Sequence, residues 1–269
     1  MKREQLIEQI RKKRSYLCVG LDTDIRKIPS FLLQEKDPVF AFNKAIVEAT
    51  APYCVAYKPN LAFYEAMGPK GWESLQKTME IIPDSHFTIA DAKRGDIGNT
   101  ATMYARAFFD VYGFDSITVA PYMGSDSVMP FLDYPGKWAI VLGLTSNEGA
   151  QDFEQLDLAS GGKLYQKVIQ EIAGWGNPED LMFVAGATRV EELKRIREMV
   201  PEHFLLIPGV GAQGGDLKAV SEATLTRDIG ILVNASRSII YASDGLDFAE
   251  AASREAQVMQ QSMSDLMPA

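Results

Sequence analysis

The chain has 269 residues, of which 46% are hydrophobic and 23% charged, with 27 lysines and arginines against 36 aspartates and glutamates. The hydrophobic content excludes an intrinsically disordered chain, and the net charge of −9 excludes a basic nucleic-acid-binding protein. No stretch has the length of a membrane span, and the first residues lack the apolar core of a signal peptide. Cys18 and Cys54 lie in apolar runs, which is typical of buried thiols in a reducing compartment. We therefore expect a soluble cytoplasmic protein.

Short apolar runs recur along the chain and alternate with helical or polar stretches. Their starts lie about 20 to 45 residues apart, which leaves room for a crossover helix, and their continuous apolar character indicates strands covered on both faces. We therefore predict an α/β fold in which residues 1–269 form one (β/α)8 TIM barrel with an extra N-terminal helix. The predicted strands are Tyr16–Leu21, Cys54–Tyr57, Phe87–Ala90, Ile117–Ala120, Trp138–Leu144, Met182–Ala185, Phe204–Ile207 and Ile231–Asn234.

Charged residues stand where the second and third predicted strands end. Lys58 follows the second strand, and Asp91-Ala-Lys93-Arg-Gly-Asp96 follows the third. In a TIM barrel the carboxyl ends of the strands form the active face, so these side chains are expected to converge. Side chains alternate along a strand, which places Asp91 and Lys93 on one side and Ala92 on the other. The pattern predicts a catalytic charge cluster, with exposed loop charges as the alternative.

Glycines follow the seventh predicted strand in Pro208-Gly-Val-Gly-Ala-Gln213-Gly-Gly, and Arg237 follows the eighth. Glycine backbone N–H groups and an arginine fork are suited to an oxyanion, and these two loops form the usual phosphate site of TIM barrels. The glycine spacing also fits a dinucleotide fingerprint, but that motif belongs on the first strand of its unit. We therefore predict a phosphate site, and glycines that only form turns remain the alternative.

Two other features carry less information about function. His86 and His203 precede the third and seventh predicted strands, at the opposite end of the barrel from the active face. No histidine is thus available at that face for a transition-metal site or a Ser-His-Asp triad. The glycine-containing segment 146–162 interrupts the alternation of strands and helices and is compatible with either a lid or a surface insertion.

The segment Asp91-Ala-Lys93-Arg-Gly-Asp96-Ile-Gly-Asn-Thr100, taken with Lys58 and the glycine-rich loop, resembles the orotidine 5′-phosphate decarboxylase family. The similarity is greater to the longer bacterial subgroup (type 2), and the order of motifs covers roughly residues 16–242. The resemblance implies conversion of orotidine 5′-phosphate to UMP and CO2 in pyrimidine biosynthesis, with no metal or organic cofactor. It also implies a homodimer with shared active sites.

The same resemblance implies catalytic roles. Lys93 is expected to donate the proton to C6, and Asp91 to lie beside the departing CO2. Lys58 and Asp96 are expected to complete an alternating array of charges. Asp96 and Thr100 are expected to reach into the active site of the neighbouring subunit.

The resemblance further implies substrate-binding roles. Asp22 is expected to contact the ribose, and Ser146 the pyrimidine. Gln213 and Arg237 are expected to contact the phosphate. Ala235-Ser-Arg237 departs from the Gly-Arg form of many relatives. The resemblance therefore does not extend to the backbone contact next to the arginine.

Two other functions compete with this interpretation. One is a metal-dependent keto-sugar-phosphate decarboxylase or aldolase on the same barrel. Mg²⁺ prefers carboxylate oxygens, so such an enzyme calls for an acid at the position of Lys58. The other is a phosphate-ligand sensor without catalysis, which the complete charge cluster disfavours.

Overall fold

Parallel strands closed into a barrel form the centre of the molecule. The structure, a computed structural model, describes residues 1–186, 189–210 and 216–268. The strands within these ranges are β1 (Leu17–Leu21), β2 (Ala56–Pro59), β3 (Phe87–Arg94), β4 (Ser116–Val119), β5 (Trp138–Leu144), β6 (Leu181–Ala185), β7 (Phe204–Pro208) and β8 (Ile231–Ala235). Each strand pairs with the next in sequence, and β8 pairs with β1. The predicted (β/α)8 barrel is therefore confirmed.

Helices precede the barrel and connect its strands. They are α1 (Arg3–Lys13), α2 (Pro38–Thr50), α3 (Leu61–Glu65), α4 (Pro69–Ile81), α5 (Gly98–Arg106), α6 (Met129–Leu132), α7 (Leu164–Ala173), α8 (Val190–Met199), α9 (Leu217–Thr224), α10 (Arg237–Ile240) and α11 (Phe248–Leu266). The first of these is the predicted N-terminal helix, which buries Leu6, Ile7 and Ile10. In the part of the chain that the structure describes, every helix falls short of the length and apolarity that a bilayer crossing requires.

Four strands continue beyond the ends predicted for them: β7 and β8 by one residue each, and β2 and β3 across charged residues. The apolar run of β2 stops at Tyr57, but the strand includes Lys58, and β3 continues from Ala90 through Asp91 to Arg94. A predicted strand is ended at a charged residue because an unpaired charge is costly to bury. Lys58 and Asp91 form an ion pair inside the barrel, so both strands continue across these residues.

Aromatic side chains fill the amino end of the barrel. Phe87, Trp138 and Phe204 open β3, β5 and β7, and all three are fully buried. Trp138 packs edge-on against the other two rings, with centroids 5.6 Å and 6.1 Å away. Such layers from alternate strands are typical of TIM barrels, and each edge-on pair contributes about 0.5–1.5 kcal/mol. The amino end is a packed core, which leaves the carboxyl end for chemistry.

The two cysteines are buried, as the sequence predicts, and the two histidines are buried as well. His86 and His203 precede β3 and β7 at the amino end, and burial lowers the pKa of both imidazoles to about 4. Cys18 and Cys54 are free thiols with no exposed surface. These residues therefore belong to the structural part of the barrel.

A buried arginine holds several loops together at the amino end. The guanidinium of Arg197, on α8, donates hydrogen bonds of 2.7 to 3.0 Å to the carbonyl oxygens of Val200, His203, Thr224 and Gly230. Burial among these neutral acceptors lowers the pKa of Arg197 to about 10. Through these hydrogen bonds the Arg197 side chain connects the residues that precede β7 and β8 with the end of α9.

Replacing Arg197 with alanine is expected to lower the free energy of unfolding by about 2–4 kcal/mol, because several buried carbonyls lose their donor. Urea unfolding followed by circular dichroism measures the change. Arg195→Ala, on the exposed face of the same helix, is the matched control and is expected to leave stability nearly unchanged. Equal stability of the two variants contradicts the assignment.

Candidate active site

Three charged side chains meet at the carboxyl ends of β2 and β3. Lys58 Nζ lies 2.6 Å from Asp91 Oδ2, and Lys93 Nζ lies 2.5 Å from Asp91 Oδ1. The side chains of Lys58 and Asp91 are 6% and 10% exposed, whereas that of Lys93 is 53% exposed. One carboxylate thus joins a buried ammonium to an accessible one, and we call these three residues the charge cluster.

Burial and pairing act in opposite directions on the charge cluster. Burial opposes ionisation of Asp91, but the ammonium groups of Lys58 and Lys93 outweigh it and lower the pKa of the carboxyl to about 2. Burial also disfavours the Lys58 ammonium, but the carboxylates of Asp91 and Asp22 outweigh it and raise the pKa of Lys58. Both buried groups are therefore charged at neutral pH before any ligand binds.

A bulge in β3 positions Lys93. Between the pairs Ala90–Ile117 and Arg94–Val119, β3 advances four residues while β4 advances two. Lys93 adopts a left-handed backbone conformation with φ of 47°. Asp91 and Lys93 are neighbours in space, as predicted, but this irregular backbone brings them together rather than the alternation of side chains along a regular strand.

Two buried oxygens near the charge cluster lack hydrogen-bond donors among the described residues. They are Oδ1 of Asp22, after β1, and Oδ1 of Asn234, on β8. The register of β8 places Asn234 beside Cys18 on one side and Pro208 on the other. A buried acceptor without a donor is costly, so both oxygens offer hydrogen-bonding capacity to a polar ligand. Asn234 is not among the predicted site residues. The signal in the sequence is that a polar amide ends the apolar run Ile231–Asn234.

The predicted phosphate loops are partly described. The φ of 89° at Gly209 is a left-handed conformation that favours glycine, whereas Gln213 lies outside the described residues. After β8, Ser236 Oγ donates to the carbonyl oxygen of Gly20, 3.1 Å away, and the exposed Arg237 begins α10. Both loops leave the same end of the barrel as the charge cluster.

Asp96 and Thr100 make no hydrogen bond or ion pair with the charge cluster in the described part of this chain. Asp96 Oδ1 accepts a hydrogen bond of 2.8 Å from the backbone N–H of Ile97. Thr100 is exposed on α5. Ile97 is 54% exposed beside them, which makes this an accessible surface with apolar character.

Ser146 lies in the loop after β5 and is half-buried. The end of β6 approaches it closely, since a Cβ on Gly186 would lie 3.1 Å from the Ser146 Cβ. Thr145, at the start of this loop, is hydrogen-bonded to Glu154 within it. The Thr145 N–H and hydroxyl donate to the Glu154 carboxylate at 2.7 and 2.9 Å. Segment 146–162 therefore starts from an ordered position at the barrel mouth.

The described residues contain no group of three histidine, cysteine, aspartate or glutamate side chains arranged to hold a metal ion. The charge cluster itself offers one carboxylate and two ammonium groups. Hard cations such as Mg²⁺ bind oxygen ligands, so the cluster is suited to an anion rather than to a metal.

The fold and the site together define the class of this protein: a parallel (β/α)8 barrel that presents a Lys-Asp-Lys cluster at the carboxyl ends of its strands. The model of the "Orotidine 5′-phosphate decarboxylase / HUMPS family" matches residues 15–252. The chain belongs to this family.

Curated relatives are similar in sequence to this chain over almost its whole length. An orotidine 5′-phosphate decarboxylase of Christiangramia forsetii is 60% identical in an alignment that covers 98% of each chain. One from Phocaeicola vulgatus is 56% identical in an alignment that covers 99% of each chain.

Solved structures of similar proteins have the same fold as this chain. The Leishmania donovani OMP decarboxylase has a TM-score of 0.81 and 36% identity, covering 97% of this chain and 99% of that one. A Toxoplasma gondii structure titled a putative orotidine-monophosphate-decarboxylase has a TM-score of 0.85 and 34% identity, covering 97% of each chain.

The charge cluster makes acid stability depend on Asp91. Its folded-state pKa of about 2 lies below the ordinary 3.8, so its stabilising contribution is present above pH 4 and is lost as the pH falls toward 2. By about pH 3 the wild type is expected to lose about 1 kcal/mol that Asp91→Asn does not lose. Urea unfolding at several acidic pH values measures the difference.

The exposed Asp126→Asn variant is the control and is expected to follow the wild-type dependence on pH. The same pH dependence in wild type and Asp91→Asn contradicts the coupling between Asp91 and its two lysines.

Proposed function

We propose that this chain is an orotidine 5′-phosphate decarboxylase, a carboxy-lyase that forms UMP and CO2 in pyrimidine biosynthesis. The observation that carries the proposal is the Asp91 carboxylate, bonded to Lys58 and Lys93 at the strand ends of a barrel from this family. Lys58 also distinguishes it from a metal-dependent sugar-phosphate enzyme, because an ammonium stands where a metal site calls for an acid.

The chemical difficulty of this reaction lies in the electrons that CO2 leaves behind. They remain on a ring carbon without enolate-type delocalisation, so the barrier is mostly the free energy of a localised negative charge. In our proposal the accessible Lys93 ammonium stabilises that charge and then donates its proton to C6. Because Asp91 already holds Lys93 in place, the ammonium requires little reorganisation during the reaction.

Asp91 has a second role in the proposal. Its ionised carboxylate is expected to lie near the carboxylate of the substrate. Two unit charges about 4 Å apart at an effective dielectric of about 20 repel each other by roughly 4 kcal/mol. Departure of neutral CO2 removes this repulsion, so the repulsion between the two carboxylates favours breaking of the bond.

The remaining residues are proposed to bind the substrate. Asp22, whose buried Oδ1 has no hydrogen-bond donor among the described residues, is assigned to the ribose, and Ser146 to the pyrimidine. Gln213, which follows β7 in the sequence, and Arg237, which follows β8, are assigned to the phosphate. Phosphate binding far from C6 supplies free energy that orders loops and excludes water around the reacting carbon.

We also propose a cytoplasmic homodimer whose single-domain subunits span residues 1–269 and share their active sites. Among the described residues Asp96 makes no hydrogen bond or ion pair with the charge cluster, and it stands with Thr100 on an accessible surface beside the exposed Ile97. A second subunit seated on this surface would bury Ile97 and bring Asp96 and Thr100 to the partner's charge cluster.

Lys93→Ala is expected to reduce the turnover of orotidine 5′-phosphate by about 10³-fold or more, because the charge-stabilising group and the proton donor are removed together. The change in absorbance on conversion to UMP measures the rate. Lys44→Ala is the matched control, since both lysine side chains are 53% exposed but Lys44 lies on α2 beside Glu48. Full activity of Lys93→Ala excludes the proposed mechanism.

The same assay in EDTA tests the proposed lack of a metal requirement. Wild-type turnover is expected to be unchanged by the chelator. Loss of turnover that Mg²⁺ restores supports the metal-dependent alternative, and tight nucleotide binding without product supports the sensor.

Shared active sites can be tested by complementation. Co-expressed Lys93→Ala and Asp96→Ala chains are expected to regain about a quarter of wild-type activity, because half of the dimers are mixed and one of their two sites is intact. The control pairs Lys93→Ala with Asp91→Ala, two residues of one chain's charge cluster, and is expected to regain none. A mixed dimer without recovery in the Asp96 pair rules out sharing.

A further inference from the structure

A threonine on β4 contacts the catalytic end of β3 through a single oxygen atom. Thr118 Oγ1 accepts hydrogen bonds from the backbone N–H groups of Ala92, at 2.9 Å, and Lys93, at 2.8 Å. Its hydroxyl donates to Asp91 Oδ1, 3.2 Å away, in preference to the more distant carbonyl oxygen of Ala90 at 3.5 Å. A threonine hydroxyl has one donor and two acceptor positions, so these three bonds use its full capacity.

The bulge explains why this oxygen is needed. Residues 91–93 of β3 lie opposite Thr118 alone, so the regular ladder to β4 is interrupted there. The ladder resumes where the N–H of Ala120 donates to the carbonyl oxygen of Arg94 at 2.8 Å. The hydroxyl of Thr118 supplies the acceptor that the backbone of β4 does not present to two successive N–H groups.

The backbone that these bonds hold is an unfavourable one. Lys93 has φ of 47°, a left-handed conformation that side chains with a Cβ rarely adopt. Such a residue keeps its conformation only where surrounding contacts enforce it. Thr118 is 1% exposed, so water does not replace its hydroxyl without a rearrangement of the sheet.

We propose that Thr118 is a positioning residue for the decarboxylation, an inference that rests on the proposed function. Its oxygen holds the left-handed turn at Lys93 and orients the Asp91 carboxylate, so the ammonium and the carboxylate are aligned by one atom. Thr118 acts through these two residues and does not itself contact the reacting atoms. The interaction is needed for the chemical step rather than for substrate affinity.

Thr118→Val removes the hydroxyl and keeps the shape of the side chain, whereas Thr118→Ser keeps the hydroxyl. The valine variant is expected to lose about 10- to 100-fold in kcat with KM changed by less than about 3-fold, because misalignment affects the transition state selectively. The serine variant is expected to stay within about 3-fold of the wild-type kcat. Steady-state kinetics with orotidine 5′-phosphate measure both, beside thermal unfolding curves.

Thr224→Val is the matched control. Thr224 is a fully buried threonine on α9 whose hydroxyl donates to the Val220 carbonyl, and its replacement is expected to affect stability but not kcat. Thr118→Ala is measured in parallel and is expected to show the same loss of kcat as the valine variant, which covers the case in which valine prevents folding.

Three results separate the possible explanations. A folded Thr118→Val or Thr118→Ala variant with wild-type kcat overturns the inference. A folded Thr118→Ser variant as impaired as Thr118→Val also overturns it, since the hydroxyl is then not the feature that matters. If the wild-type protein does not convert orotidine 5′-phosphate, the proposed function fails instead, independently of Thr118.

Discussion

The shared carboxylate of Asp91 is the constraint on which the active end of this barrel depends. Two ammonium groups bind its two oxygens, and one of these groups, Lys58, is almost fully buried. A buried ammonium is tolerated only when a carboxylate compensates for its lost hydration, so β2 and β3 must be held in a register that brings the pair into contact. Lys93, bonded to the other oxygen, is therefore oriented before a substrate arrives.

The two ends of the barrel have different tasks, which follow from what fills them. At the amino end, aromatic rings around Trp138 and the guanidinium of Arg197 satisfy the packing and hydrogen-bonding requirements of the strand entries. At the carboxyl end, Asp22 and Asn234 retain buried oxygens without donors among the described residues. Free energy gained by packing at the amino end stabilises an arrangement at the carboxyl end that leaves these oxygens available to a ligand.

Much of the architecture was predictable because it depends on local patterns. Continuous apolar runs of strand length, separated by enough residues for a helix, indicate a parallel barrel without knowledge of any contact. The strand ends were less predictable, because Lys58 and Asp91 are unfavourable in an isolated apolar run and become favourable only as a pair. That pairing joins residues 33 positions apart, beyond the reach of any local pattern.

The sequence by itself determined the α/β barrel, the membership of a family through its motifs, and the residue types at the active face. Only the tertiary structure decided that β3 bulges, that Lys93 takes a left-handed backbone, and that one Asp91 carboxylate serves two lysines. Thr118 shows the physical reason. A threonine in a strand is ordinary in sequence, and its hydroxyl acquires a role only where the neighbouring strand leaves two N–H groups without backbone acceptors.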